Sequence, residues 1–162
     1  LILHFNLKRM ALTRNESVAA FIHQMARVNL TLRAFMRHKF KEHNIDITFE
    51  MLQVLRFLWE KDGVNQQEIA DAIIKDKASL TCLIDNLVRR KLVLRTPDNR
   101  DRRNKIIVLT KGGHQLKTLI QPWFKEMYQV AAKGSEPGLL ANGIALFAKI
   151  QQNFESYQKK NK

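Results

Sequence analysis

Residues 95–105 read Arg-Thr-Pro-Asp-Asn-Arg-Asp-Arg-Arg-Asn-Lys. Arg95, Arg100, Arg102 and Arg103 crowd this one short stretch, with Asp101 among them. Guanidinium groups at such density bind phosphate and suit narrow, negatively charged grooves such as the minor groove of a duplex. The stretch lies between Leu92-Val93-Leu94 and Ile106-Ile107-Val108-Leu109, both apolar and rich in β-branched residues. Turn formers between two such runs predict a β-hairpin with Arg100, Arg102 and Arg103 at its tip. The same residues describe a solvated loop equally well.

A second group precedes it. Residues 77–91 carry Leu80, Leu83, Ile84 and Leu87 at helical spacing. At about 100° per residue these four share one side of a helix. Lys75, Ala78, Ser79, Cys82 and Arg89 point away from it, with Lys77 and Thr81 at the edges. Small side chains let a helix backbone sink into a major groove. Serine and threonine bond to base edges or phosphates there, and lysine neutralises phosphates. An ordinary amphipathic helix with short surface residues is the other reading.

Charge narrows the choice of partner. The chain has 162 residues, a formal net charge of +13 and a pI of about 10.2. That imbalance calls for a polyanion, either nucleic acid or an anionic membrane surface. With 45% hydrophobic and 27% charged residues the chain is globular and not disordered. No apolar run approaches the ~20 residues of a membrane span, and the first ten residues make a poor signal peptide.

Catalytic chemistry finds no support. His4, His23, His38, His43 and His114 lack metal-ligand spacing. There is no Gly-rich phosphate loop, metalloprotease helix or nucleophile elbow. The expectation is a non-enzyme without cofactor or metal. Cys82 is the single cysteine, which excludes an intrachain disulfide and fits a reducing compartment. It is either a small filler or, beside lysines at a helix start, a thiol whose oxidation weakens DNA binding.

The elements that must carry these groups follow from periodicity and caps. A long first helix is expected from about Arg14 to Glu42, with apolar residues from Val18 to Met36 at three- and four-residue steps. Thr48 caps a second helix that ends at Lys61-Asp62-Gly63. Asn65 caps a third, from Gln66 to about Ile74. Asp76 caps the fourth, to about Lys91. Thr110 caps a fifth that Pro122 should kink or split. Gly134 to Gly138 is a break, and a last helix is expected from about Leu139 to Tyr157, followed by a frayed tail.

In this order the middle of the chain resembles a known family. Residues 76–95 look like the recognition helix and first wing strand of MarR-type transcriptional regulators. Asn65-Gln66-Gln67-Glu68-Ile69-Ala70 resembles that family's first helix of the reading pair. Asp101-Arg102-Arg103, then Leu109-Thr110 and Gly112-Gly113, resemble its wing and the start of its fifth helix. The match is dense over residues 48–113. Over the outer helices it rests on order and length. Two positions depart from it. Lys91 stands where members usually carry glycine, so a left-handed cap there is strained or the turn is built differently. Cys82 stands where many carry a basic residue, which points to a different operator.

The resemblance implies a mainly α fold with a small β-hairpin wing. A winged helix-turn-helix core (48–110) would lie between an N-terminal arm and dimerisation helix (1–47) and C-terminal dimerisation helices (111–162). It implies a homodimer on a roughly palindromic operator, with the helix near Ser79 to Cys82 in the major groove. Arg102 and Arg103 take the minor-groove and wing-bracing positions, and Asp101 braces Arg103. Gln66 and Gln67 touch backbone phosphates. Small aromatic effectors bind near His23, Phe35, Met36, Trp59 and Trp123, which periodicity alone describes as core. The expected function is a sequence-specific, ligand-responsive repressor, cytoplasmic and associated with the bacterial nucleoid. The rivals are a sequence-nonspecific architectural protein of the same charge and an anionic-membrane or scaffold protein.

Overall fold

A computed structural model describes residues 13–98 and 105–161. The order is α1 (Arg14–Glu42), α2 (Phe49–Glu60), β1 (Val64–Asn65), α3 (Gln66–Ile73), α4 (Lys77–Arg89), β2 (Val93–Pro97), β3 (Lys105–Leu109), α5 (Lys111–Ala132) and α6 (Pro137–Lys160). The chain divides into two compact units, with the boundary inside α5 between Trp123 and Phe124.

Short polar side chains start the helices where the sequence places them. The Thr48 hydroxyl accepts from the Met51 N–H at 3.2 Å. Asn65 accepts from Glu68 N–H at 2.9 Å, and the Glu68 carboxylate reaches back to the Asn65 N–H, which closes a capping box. Asp76 accepts from Ser79 N–H at 2.8 Å. Thr110 accepts from Gly113 N–H at 3.0 Å and donates to the Lys91 carbonyl at 2.6 Å.

Three helices end alike. After α4, Leu92 N–H bonds to Leu87 O and Lys91 N–H to Val88 O. After α3, Lys75 N–H bonds to Ala70 O and Ile74 N–H to Asp71 O. After α1, Ile45 N–H bonds to Phe40 O and Asn44 N–H to Lys41 O. This paired bonding requires a left-handed residue, normally glycine. Here Lys91 (φ 57°), Ile74 (φ 52°) and Asn44 (φ 54°) take it. The departure at Lys91 thus resolves as a strained cap of unchanged geometry. For a non-glycine residue the conformation costs roughly 1–2 kcal/mol, and a β-branched residue such as Ile74 adopts it least readily.

The sheet is antiparallel in the order β1-β3-β2. Val93 opposes Leu109 and Pro97 opposes Lys105, so the hairpin strands run further toward the tip than the apolar runs indicated. β1 was not anticipated, because two residues carry no periodicity. It forms because Val64 and Asn65 pair with Ile107 and Ile106.

The core of the first unit lies where α2, α3 and α4 meet the sheet. Leu52, Leu55, Leu58, Ile69, Leu80, Ile84, Leu87, Val93 and Ile107 are all buried. Full burial of such side chains stabilises by roughly 1.5–3 kcal/mol each, which holds α3 and α4 on the sheet. Leu83, expected in the stripe, is only partly covered. Met36 and Phe40 bring α1 into this core, and Leu116, Ile120 and Trp123 bring in the first part of α5.

Two helices differ from expectation. α5 is one helix through Pro122 and is not split. α6 begins at Pro137 instead of Leu139, because proline's missing N–H is an orphan in a first turn anyway. It continues to Lys160, into residues expected to fray. No residue of α6 is buried, and Leu139, Ile144, Phe147, Phe154 and Tyr157 are exposed. Val18, Ile22, Met25 and Val28 of α1 are exposed as well.

Candidate nucleic-acid interface

The N-terminal end of α4 presents short side chains to solvent. Lys77, Ala78, Ser79 and Cys82 are exposed, and Lys75 in the preceding turn is half-buried. The backbone bond from Ser79 holds the Asp76 carboxyl below the usual carboxylate range, so this cap stays ionised at neutral pH. Cys82 carries a free, exposed thiol.

Thr81 faces differently. It is half-buried, its hydroxyl donates to Lys77 O at 2.8 Å, and it accepts from the Gln66 amide. This bond joins the first turn of α3 to α4 and uses the groups that base or phosphate contacts would need. Gln67 is exposed, and its amide donates to Asp71 at 2.8 Å.

The C-terminal half of α4 is an ion-pair network. Arg95 of β2 pairs with Asp85 at 2.6 Å. Arg90 donates from Nε to the Asp46 carbonyl at 2.5 Å and pairs with the Asp46 carboxylate at 2.9 Å. Both Arg89 and Arg90 donate to Asn86 Oδ1, and the Asn86 amide donates to Cys82 O at 2.9 Å. Arg89 is exposed and Arg95 half-buried. Arg100, Asp101, Arg102 and Arg103 lie outside the described residues, so the expected bracing of Arg103 by Asp101 does too.

The wing is anchored at its base. Asp62 Oδ1 accepts from both Gly63 N–H and Leu109 N–H at 2.9 Å, which ties the loop after α2 to β3. The Trp59 indole N–H donates to Gly113 O at 3.1 Å, and Lys117 Nζ donates to Trp59 O at 3.1 Å. A Cβ at Gly113 would stand 2.3 Å from the Leu92 carbonyl oxygen. Only glycine lets the first turn of α5 lie this close to the α4–β2 turn.

The residues grouped as an effector pocket are dispersed in burial. Met36 and Trp123 are buried, Phe35 and Trp59 half-buried, and His23 exposed. Trp123 stacks on His43 (centroids 4.6 Å apart) and tilts against Phe40 (6.3 Å). Sequence reasoning missed Asp46, Asp62, Asp85 and Arg90. Their partners are 44 and 47 residues away in two cases, so no local pattern marks them.

Residues 47–105 match the sequence pattern of the MarR family. The span opens just before α2 and closes as β3 begins, so it takes in α2, α3, α4 and β2. The chain is 26% identical over 116 residues to the transcriptional regulator SarZ of Staphylococcus aureus, covering 71% of this chain and 77% of SarZ. It is 35% identical over 72 residues to the regulator TtmR of Methylorubrum extorquens, spanning only 37% of that protein. Among solved structures it superposes on S. aureus MepR in its DNA complex with a TM-score of 0.72 and 26% identity, covering 83% of this chain and 96% of MepR. The MarR-type winged helix is therefore the fold. No helix among the described residues is long and apolar enough to cross a membrane.

Proposed function

We propose that the chain is a sequence-specific, DNA-binding transcriptional regulator that works as a homodimer on a pseudo-palindromic operator. The exposed, short-side-chained start of α4 carries this reading. It is backed by a buried leucine–isoleucine stripe and flanked by Lys75 and Lys77, on a protein of net charge +13. Ala78, Ser79 and Cys82 are the surface offered to base edges. Lys75, Lys77 and the wing arginines supply phosphate attraction and a steep salt dependence. The internal bonds of Thr81 and Gln66 make them positioning residues that fix α4 against α3.

Dimerisation is argued from the apolar side chains that α1 and α6 leave exposed, since patches of this kind mark association surfaces. Two reading heads about 34 Å apart reach successive major grooves. Repression through an aromatic effector beside Trp123 completes the reading. A phenolic ligand there should quench tryptophan fluorescence and lower operator affinity.

The test is selection of duplexes from a random pool, then competition with random DNA at physiological salt. A regulator yields a two-fold symmetric motif and keeps at least a thousandfold preference for it. A preference under about tenfold would instead describe an architectural protein. Arg102→Ala with Arg103→Ala should abolish DNA binding, and sedimentation should give a dimer. Retained DNA binding in that variant, or a monomer, contradicts the proposal.

A further inference from the structure

Ile74 is the most exposed large apolar side chain among the described residues, at 90%. It also holds the left-handed conformation (φ 52°, ψ 57°) in the turn joining the two reading helices. The turn needs the left-handed backbone, but an exposed isoleucine in it gives the isolated fold no benefit. Glycine would make the same paired backbone bonds without strain, and a polar residue would hydrate better. Strain held at one place without local return points toward a contact made elsewhere.

Its position indicates which contact. Ile74 lies two residues before Asp76, the cap of α4, and within five residues in sequence of Lys75, Lys77 and the exposed Ala78 and Ser79. The bonds from Ile74 N–H to Asp71 O and from Lys75 N–H to Ala70 O fix the backbone that carries it. A β-branched side chain is stiff at χ1, so the apolar group is presented in nearly one orientation. Little entropy remains to be lost when it meets a surface. Deoxyribose carbons and the thymine methyl are the apolar surfaces a duplex offers beside its phosphates.

We infer that Ile74 is an apolar DNA contact that helps set operator affinity, pressed against sugar carbons or a thymine methyl as α4 enters the groove. The inference rests on the function proposed above and adds a contact that charge and hydrogen bonding do not supply.

The experiment uses the full chain and the duplex it selects from a random pool. Binding is followed by fluorescence anisotropy at several salt concentrations, for wild type, Ile74→Val, Ile74→Asn and Ile74→Gly. Valine should bind within about twofold of wild type. Asparagine and glycine, which accept the left-handed turn, should melt higher yet bind roughly five- to tenfold more weakly. The slope of log K against log salt should not change, because no phosphate contact is lost. Uracil in place of thymine at single positions separates the two surfaces: a matching loss marks a methyl, an unchanged affinity a sugar. Asparagine binding as tightly as wild type overturns the inference, as does a loss accompanied by a shallower salt slope. Wild-type protein with no duplex preference overturns the function itself, which is a distinguishable failure.

Discussion

Gly113→Ala places a methyl group 2.3 Å from the Leu92 carbonyl oxygen and 3.0 Å from Leu109 Cδ2. Carbon–oxygen contacts settle beyond about 3 Å, so the start of α5 must retreat by roughly 1 Å. That retreat strains or breaks the Thr110 cap and the indole bond from Trp59 to Gly113 O, each worth about 1 kcal/mol. Overpacking itself costs roughly 1–3 kcal/mol. Alanine returns about 1 kcal/mol as the better helix former. The net expectation is a loss of about 2–4 kcal/mol, which for a chain of this length lowers the melting midpoint by roughly 4–16 °C. Urea denaturation followed by circular dichroism measures it, with Gly112→Ala alongside. A Cβ at Gly112 meets the Lys91 carbonyl oxygen at 3.2 Å, so its penalty should be clearly smaller. A Gly113→Ala protein as stable as wild type, or a reversed order of the two variants, would refute the close approach of α5 to the α4–β2 turn.

Lys91→Gly should stabilise on the order of 1 kcal/mol by relieving the left-handed backbone at φ 57°, and a lower urea midpoint would contradict this. Asp62→Ala leaves the Leu109 N–H without its acceptor and should destabilise by about 1–3 kcal/mol, with fast hydrogen exchange at Leu109 as the local signature. Unchanged exchange there argues against the bond. The Asp76 carboxyl is held low by the Ser79 backbone bond, so its contribution to stability is present above the usual carboxylate range and fades as pH falls through it. Asp76→Ala should therefore be less stable than wild type at neutral pH and equal to it in strong acid. A deficit that persists in acid would assign the effect to something other than the ionised cap.

Local chemistry makes much of this protein legible in its sequence. Thr48, Asn65 and Asp76 mark helix starts because capping is decided within four residues. The apolar spacing of Leu80, Ile84 and Leu87 marks the buried side of α4 and, by elimination, its outward side. The turn-forming insert between two β-branched runs marks the hairpin of β2 and β3. These features depend on covalent neighbours and short periods, which one chain displays directly.

Contacts between distant segments were decided only in three dimensions. The pairing of Val64 with Ile107, the Asp46–Arg90 clamp and the reach of Asp62 to Leu109 join residues about 43 to 47 positions apart, and no period encodes them. The same holds for Thr81 and Gln66. Their residue types suit DNA, yet packing of α3 on α4 turns them toward each other. Pro122 leaves α5 as one element, which excludes the split that its local rule allowed. Ile74 is an ordinary residue on paper, and Lys91 stands out only against the glycine of the resembled family. Their left-handed backbones arise because the chain must reverse direction between packed helices, a demand set by the tertiary fold and met at the cost of local strain.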